Sequence, residues 1–311
     1  MAKKILAKLL KIKFNKENRE PSVHDSPKTA AILLAPALLL MTFIIFYPLI
    51  RAFILAFYNL NLTQPNNTAF VFLENFRIMF RDETFWVVFK NTFIFTFTTV
   101  SISLLLGLII AIVFDQLPKK YAGYRGIILV PWVIPGIVVG YLFMYMFDVE
   151  VGIINFFLQK IHIIENYLPW LMRDKLAMAS IIIAHIWNQT PFFILMITAG
   201  LKAIPRDVQE AAYVEGASRW QEFRHVTLPF LKGILVISSL LMVIRNINNF
   251  PIIFTMTGGG PANATTTAAV YIYKIAFEQY QLGYASAVGV IWVFALLALS
   301  IAYIKSLQKD F

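Results

Sequence analysis

An all-α membrane protein with six transmembrane helices is the fold class this sequence predicts, and three observations carry it. Hydrophobic residues fill 59% of the 311 positions and charged residues only 14%, where a globular chain holds roughly 45–50% and about 25%. The mean hydropathy is +0.69. The apolar residues also gather into six blocks, at about 30–58, 85–114, 126–147, 176–201, 234–256 and 285–304. Each supplies the roughly 20 helical residues that a hydrocarbon core requires. The expected organisation is a basic segment (1–28), a first crossing with its outer loop (29–84), a core of five crossings (85–306) and a short tail (307–311).

Residues 1–28 hold Lys3, Lys4, Lys8, Lys11, Lys13, Lys16, Arg19 and Lys28, interspersed with Leu6, Leu9, Leu10, Ile12 and Phe14. That mixture predicts a basic amphipathic helix lying on anionic lipid. It contains no apolar core, so it does not read as a cleavable signal peptide, and the first crossing is expected to act as an uncleaved anchor. Six crossings place both termini on one side. With the amino terminus inside, the inner segments collect 18 basic residues and the outer loops six. That bias predicts cytoplasmic termini and a cytoplasmic 202–232 loop in a bacterial-type plasma membrane. In the outer stretches, the triplets Asn61-Leu62-Thr63 and Asn66-Asn67-Thr68 read as turns, while Tyr167, Pro169 and Trp170 suit an interfacial anchor.

The longest charged segment between two apolar blocks runs over 210–229. Pro205 can open a helix at Arg206 or Asp207, since a first-turn residue needs no intrahelical N–H bond. Gly216 offers the permissive backbone of a sharp turn. Ser218 starts a second short helix with Gln221 as its capping-box partner. Pro229 is expected to block continuation of that helix. The expected result is a compact helix–turn–helix that a partner could grip.

Several chemistries are excluded. No Gly-x-x-x-x-Gly-Lys-Ser/Thr run occurs, so the chain lacks a P-loop for nucleotide phosphates. Cysteine is absent, and His24, His162, His185 and His225 are scattered without metal-ligand spacing. No nucleophile–base pair is visible. The central turns of the crossings hold no Asp or Glu, which disfavours a proton-driven carrier. The net charge of +10 follows the inner segments, which hold 18 of the 27 basic residues, and does not point to nucleic acid. A catalytic role, a metal and a cofactor of the chain's own are therefore not expected.

The polar residues that do enter the apolar blocks are selective. His185, Asn188 and Gln189 form a patch in the fourth crossing, which Pro191 is expected to kink. Arg245, Asn246 and Asn249 sit midway through the fifth. On a helix Asn246 and Asn249 share a face, with Arg245 about 100° from Asn246. An arginine at mid-membrane costs about 2.5–3.5 kcal/mol on insertion scales, so it should face a cavity or a partner helix. Interhelical glue and a polar site for a hydroxyl-rich solute both remain open on the residues alone. Gly258-Gly259-Gly260-Pro261 reads as a chain-reversing turn at the outer end of the fifth crossing.

The spacing Glu210-Ala211-Ala212, then Gly216, then Val226-Thr227-Leu228-Pro229, resembles the EAA signature of ABC importer permeases. The run Gly200-Leu201-Lys202-Ala203-Ile204-Pro205 fits the same family. The stretch from Ile247 through Pro251 to Pro261 resembles the sugar-importer branch, near the larger permease subunit of maltose-type systems, and the likeness covers roughly 30–306. The resemblance implies a type I importer permease fold with a cytoplasmic coupling-helix loop. It implies a second homologous permease, two ABC ATPase subunits that hold ATP and magnesium, an extracellular solute-binding protein and a sugar substrate. Glu210, Ala211, Ala212, Gly216, Leu228 and Pro229 would meet the ATPase, and Gly258, Gly259, Gly260 and Pro261 would lie near the binding protein. Asn246 and Asn249 match asparagines that line the family's sugar site. His185, Asn188 and Gln189 match fourth-crossing lining positions, and Trp132 and Gly136 third-crossing ones. Met242 replaces a small polar residue, and Arg245 stands where a neutral one is usual, which points to glycerol phosphate or an acidic oligosaccharide as an alternative solute. A proton-coupled carrier is a more distant alternative.

Overall fold

The computed structural model describes residues 27–118 and 123–308. The basic segment 1–26, Lys119, Lys120 and the last three residues lie outside the described residues, and the amphipathic reading of the amino terminus falls there. Two compact units divide at Ile54 and Leu55. The first carries α1 (Pro27–Met41), a wide π turn (Thr42–Phe46) and most of α2 (Tyr47–Leu55). Over Ala31–Leu55 it is long and apolar enough to cross a membrane, and nothing in its most apolar stretch is buried within the chain.

The second unit opens with a small hairpin, β1 (Tyr58–Asn59) antiparallel to β2 (Ala69–Phe70), with Tyr58 opposite Phe70. Asn61 Oδ1 accepts hydrogen bonds from the N–H and hydroxyl of Thr63, which is the turn chemistry expected of that triplet. Then follow α3 (Glu74–Arg81), α4 (Glu83–Asp115), α5 (Tyr124–Ile128), α6 (Val130–Val133), α7 (Gly136–Met146), α8 (Ile153–Lys160) and α9 (Asp174–Lys202). The chain continues through α10 (Arg206–Val214), α11 (Arg219–Glu222), α12 (Leu228–Ile247), α13 (Pro251–Thr257), α14 (Ala268–Tyr273) and α15 (Leu282–Gln308). Among the described residues five helices can cross a membrane, or six if one bent pair counts as a crossing.

That bent pair corrects the third crossing. The sequence suggested one helix over 126–147, but the chain bends by 96° between Gly126–Val133 and Gly136–Met146. Ile134 is extended (φ −68°, ψ 128°) and Pro135 caps α7 without a donor of its own. The residue before a proline is pushed out of the helical region, and Pro135 enforces the break. The fifth crossing is corrected in the same way. Its helix stops at Ile247, and Asn248 to Phe250 lead to Pro251 at the start of α13. Arg245 therefore occupies a last helical turn instead of a helix centre, and Asn249 lies beyond the helix instead of one turn above Asn246. Pro191 lies inside α9, which continues as one helix from Asp174 to Lys202.

Helix α9 is the axis of the second unit. One apolar cluster packs Phe193, Ile197 and Leu201 of α9 with Val100 of α4, Val243 and Ile247 of α12, and Val288 and Trp292 of α15. Gly107 makes the α4–α9 crossing close, because a Cβ there would collide with the Cβ of Phe193. A second cluster packs Ile181 and Ala184 of α9 with Phe95, Val139, Phe143, Ile252 and Met256, holding α7 and α13. Gly140 lets α7 approach Thr255 of α13. Trp170, expected as an interfacial anchor, donates its indole N–H to Asn155 Oδ1 at 2.8 Å and packs on Phe147.

At the amino-terminal end of α4, three segments are tied together. Asp82 caps the helix by accepting the Thr84 N–H at 2.8 Å. Its other oxygen accepts the hydroxyls of Tyr271 at 2.6 Å and Tyr284 at 3.0 Å. Burial raises the Asp82 pKa, but the bonds from Tyr271, Thr84 and Tyr284 outweigh it and hold the carboxyl below the ordinary 3.8. Leu62 donates its N–H to Tyr280 O, and Gly283 donates to Leu60 O, clipping the 60–62 segment to the start of α15.

Two outcomes follow from this clip and network. A Cβ at Gly283 would overlap the carbonyl oxygen of Tyr58, whereas one at Gly289 on the same helix meets open space. Gly283→Val should lower stability by about 1–3 kcal/mol in thermal melts of the purified protein, and Gly289→Ala should not lower it. Because the folded pKa of Asp82 lies below the unfolded one, its stabilisation is present above the unfolded value of 3.8 and fades as pH falls through the folded value. Asp82→Asn should reduce the melting temperature at neutral pH and shrink the loss seen on acidification.

Candidate functional site

Polar side chains inside an apolar bundle need partners, since an unpaired buried donor or acceptor costs about 1–3 kcal/mol. His185, Asn188 and Gln189 lie on the buried face of α9, and Asn246 is completely buried on α12. His185 Nε2 and Asn246 Oδ1 are 2.9 Å apart, joining the two helices. Asn188 donates to the carbonyl of Pro131 at 2.6 Å, next to Trp132, whose ring packs against Phe192. Phe95 of α4 covers the imidazole at 5.1 Å between centroids.

What remains after these bonds is the informative part. His185 Nδ1, both polar atoms of the Gln189 amide, Asn246 Nδ2, Asn249 Oδ1 and Trp132 Nε1 are buried and have no hydrogen-bond partner within the described chain. The six orphaned atoms are drawn from α6, α9, α12 and the break after α12. Such groups are satisfied by bound water or a hydroxyl-rich ligand.

Two of the sequence-predicted residues stand apart. Gly136 packs against Pro251, with space for a Cβ only 3.2 Å from that ring, so its demonstrated contact is the α7–α13 crossing. The Arg245 side chain is exposed on this chain. Sequence reading also missed a row on α4. Thr96, Thr99 and Ser103 are completely buried and their hydroxyls lack partners. Their spacing of three and four places them on one helical face, and that spacing inside an otherwise apolar helix was the available signal.

The charged 202–232 segment is folded as a hook. Pro205 caps α10, which begins at Arg206. Gly216 takes φ +75°, and the N–H groups of Gly216 and Ala217 donate back to Tyr213 O and Ala212 O, a Schellman closure that favours glycine. Ser218 and Gln221 form both bonds of a capping box. Pro229, however, does not block the helix. Chain Arg219–Ile247 continues through a π turn at Phe223–Thr227, in which Leu228 donates its N–H to Phe223 O. The wider turn relieves the clash that a proline ring makes with the preceding turn, so the second arm of the hook merges with the fifth crossing.

Glu210, Ala211, Gly216, Leu228 and Pro229 are exposed and Ala212 is half-buried, while Leu201, Ile204 and Leu231 anchor the hook's roots in the core. The tip also presents Tyr213 and Val214, each 84% exposed, and Trp220 at 66%. These apolar residues were not singled out from the sequence, though their place beside Glu210 and Gly216 was the cue. An apolar tip this exposed marks a contact surface. At the other end of α4, the Gly258–Pro261 turn is folded inward. Gly258 and Gly259 have φ of +59° and +90°, Gly259 is buried, and Thr265 and Thr266 donate to Gly260 O and Gly259 O. Only Ala262 at its tip is exposed.

Apolar crossings around an unsatisfied polar cluster, with a gripping surface at one end, define a membrane transport subunit. Residues 103–309 match the family described as binding-protein-dependent transport system inner membrane component, and the chain belongs to that family. It is a multi-pass inner-membrane permease component and not a member of an enzyme family. It is 35% identical over 90% of its length, and 91% of the relative's, to the sulfoquinovosyl glycerol transport system permease protein of Agrobacterium fabrum. It is 32% identical over 91% of its length, and 94% of the relative's, to the trehalose/maltose transport system permease protein of Thermococcus litoralis. A similar fold occurs in the crystal structure of a bacterial ABC transporter involved in the import of the acidic polysaccharide alginate, with TM-score 0.77 at 20% identity over 91% of this chain and 96% of that one.

The orphaned atoms give a direct test of the cluster. Gln189→Leu should leave stability unchanged or raise it, by up to about 1–3 kcal/mol, while solute uptake by the assembled system is lost. Marked destabilisation in thermal melts would show instead that Gln189 is a structural member of the bundle.

Proposed function

We propose that this chain forms half of the translocation pathway of an ATP-driven importer for sugars or short oligosaccharides. The carrying observation is the set of six buried, unpartnered polar atoms around His185 and Asn246. Hydroxyl groups both donate and accept, so a sugar can satisfy orphaned amide, imidazole and indole groups together. The named transport of trehalose, maltose and sulfoquinovosyl glycerol by relatives supports a carbohydrate solute. Binding at the cluster need only be weak, because tight retention slows release.

The proposed assembly contains a second related permease, two ATPase subunits that bind ATP and magnesium, and a solute-binding protein outside the membrane. Both termini and the hook lie in the cytoplasm, as the distribution of basic residues favours. Tyr213, Val214, Trp220, Glu210 and Gly216 seat in the ATPase, and the Gly258–Pro261 turn supports the face that receives the binding protein. Closure of the ATPase pair then moves the hook, and with it the helices that carry the cluster, exposing the site to alternate sides.

An anionic sugar is the second reading. Arg245 adjoins Asn246 and its side chain is not covered by this chain, so it can offer a cation to a solute held at the cluster. Arg245→Ala should then reduce uptake of an acidic sugar more than of a neutral one. Equal effects on both solutes would remove this reading.

The coupling role is tested by Gly216→Arg in the assembled importer. A Cβ at Gly216 meets nothing within 4 Å among the described residues, and the φ of +75° adds backbone strain. The complex should assemble in the membrane, while ATP hydrolysis stimulated by the binding protein falls towards its unstimulated rate. Gly216→Asn, which tolerates that φ, controls for backbone strain. Normal stimulated hydrolysis in Gly216→Arg would refute the seating of the hook.

A further inference from the structure

A polar cavity lies about 20 Å from the buried cluster, since Phe95, which covers His185, stands 12 residues along α4 from Glu83. Arg219 at the hook donates to Gln116 Oε1 at 3.1 Å, which places the carboxyl end of α4 beside the hook. Its amino end, 33 residues away, is about 50 Å distant at 1.5 Å per residue. There, a half-open cavity of about 560 Å³ is lined by the start of α4, the 59–61 segment, α14 and the start of α15. That volume falls within the roughly 300–1,000 Å³ of small-molecule sites.

The lining is chemically specific. Tyr271 and Tyr284 both direct their hydroxyls to Asp82 and lie 3.4 Å from each other, so their oxygens keep acceptor capacity in the cavity wall. Asn75, itself buried, spends its amide protons on the carbonyls of Ala56 and Tyr58 and helps fix the wall. Lys274 lines the cavity and makes no ion pair with any described residue. Asn263 and Gln279 add amide groups. The rim is held by the clip between Leu60–Leu62 and Tyr280–Gly283.

We infer that this cavity is a binding site for an uncharged, sugar-sized polyol, separate from the buried cluster. A polyol's hydroxyls can donate to the tyrosine oxygens and accept from the Lys274 ammonium and the amides in one pose. A multiply charged anion would meet the Asp82 carboxylate, and an apolar ligand would strip amides and ammonium of water without replacing it. The single carboxylate also gives no cage for a divalent cation. The inference rests on this cavity's own chemistry and holds whether or not the cluster around His185 binds a sugar.

The test uses the assembled permease–ATPase complex in lipid nanodiscs, without binding protein and in an Asn246→Ala background that disables the buried cluster. Equilibrium binding is measured with radiolabelled trehalose and maltose, with glucuronate as the anionic comparator. Saturable binding of the neutral sugars should be seen, and Lys274→Met and Gln279→Ala should each weaken it by roughly tenfold or less, together by more, while thermal melts stay unchanged. Absence of saturable neutral-sugar binding, or tighter binding of glucuronate than of either sugar, overturns the inference. So does a result in which both variants leave sugar binding intact and only weaken attachment of the binding protein, since a protein loop would then be the occupant.

Discussion

The bond between His185 and Asn246 is the interaction on which the rest of the arrangement depends. It joins α9, the axis of both apolar clusters, to α12, and it is made by two side chains whose other polar atoms are left without partners. Inside an apolar bundle each of those atoms costs about 1–3 kcal/mol when unpaired, which favours something polar beside it. The fold does not merely tolerate this cost. It positions the cluster where the middle of α9, at His185 and Gln189, meets the broken third crossing at Trp132 and the end of α12 at Asn246 and Asn249.

The same two helices also own the hook. Helix α9 runs into its first arm, and Arg219–Ile247 is one helical rod from its second arm to Asn246. Grip at the tip and chemistry at the cluster are therefore mechanically adjacent even though they are far apart in space. No chain of side-chain relays is needed when both roots of the hook are the helices that carry the site. The close crossing at Gly107 and Phe193 keeps α4 against this pair, and the contact of Arg219 with Gln116 ties its far end to the hook.

Much of this was legible in the amino-acid order, because the signals were local. Pro205, Gly216 and the Ser218–Gln221 pair each dictate a backbone feature within a few residues, and each took the form that capping chemistry requires. The six apolar blocks were visible by composition. What was not legible is how prolines act in context. Pro135 and Pro251 each break a crossing, Pro191 lies within an unbroken helix, and Pro229 is absorbed by a wide turn. Those outcomes depend on whether neighbouring helices supply the packing that compensates a lost N–H bond. The polar cavity at the amino end of α4 was hidden for a related reason. It arises from residues as distant as Asp82 and Tyr284, and a linear reading has no measure of that proximity.

The π turn at Phe223–Thr227 carries a consequence of its own. A π turn amounts to an α-helix holding one surplus residue in a local bulge. A gain or loss of a single residue in this stretch can thus be taken up where it occurs, without swinging the distal part of the rod by the 100° that one added helical step otherwise imposes. The widened turn decouples the register of the hook's second arm from the aim of Asn246 at His185.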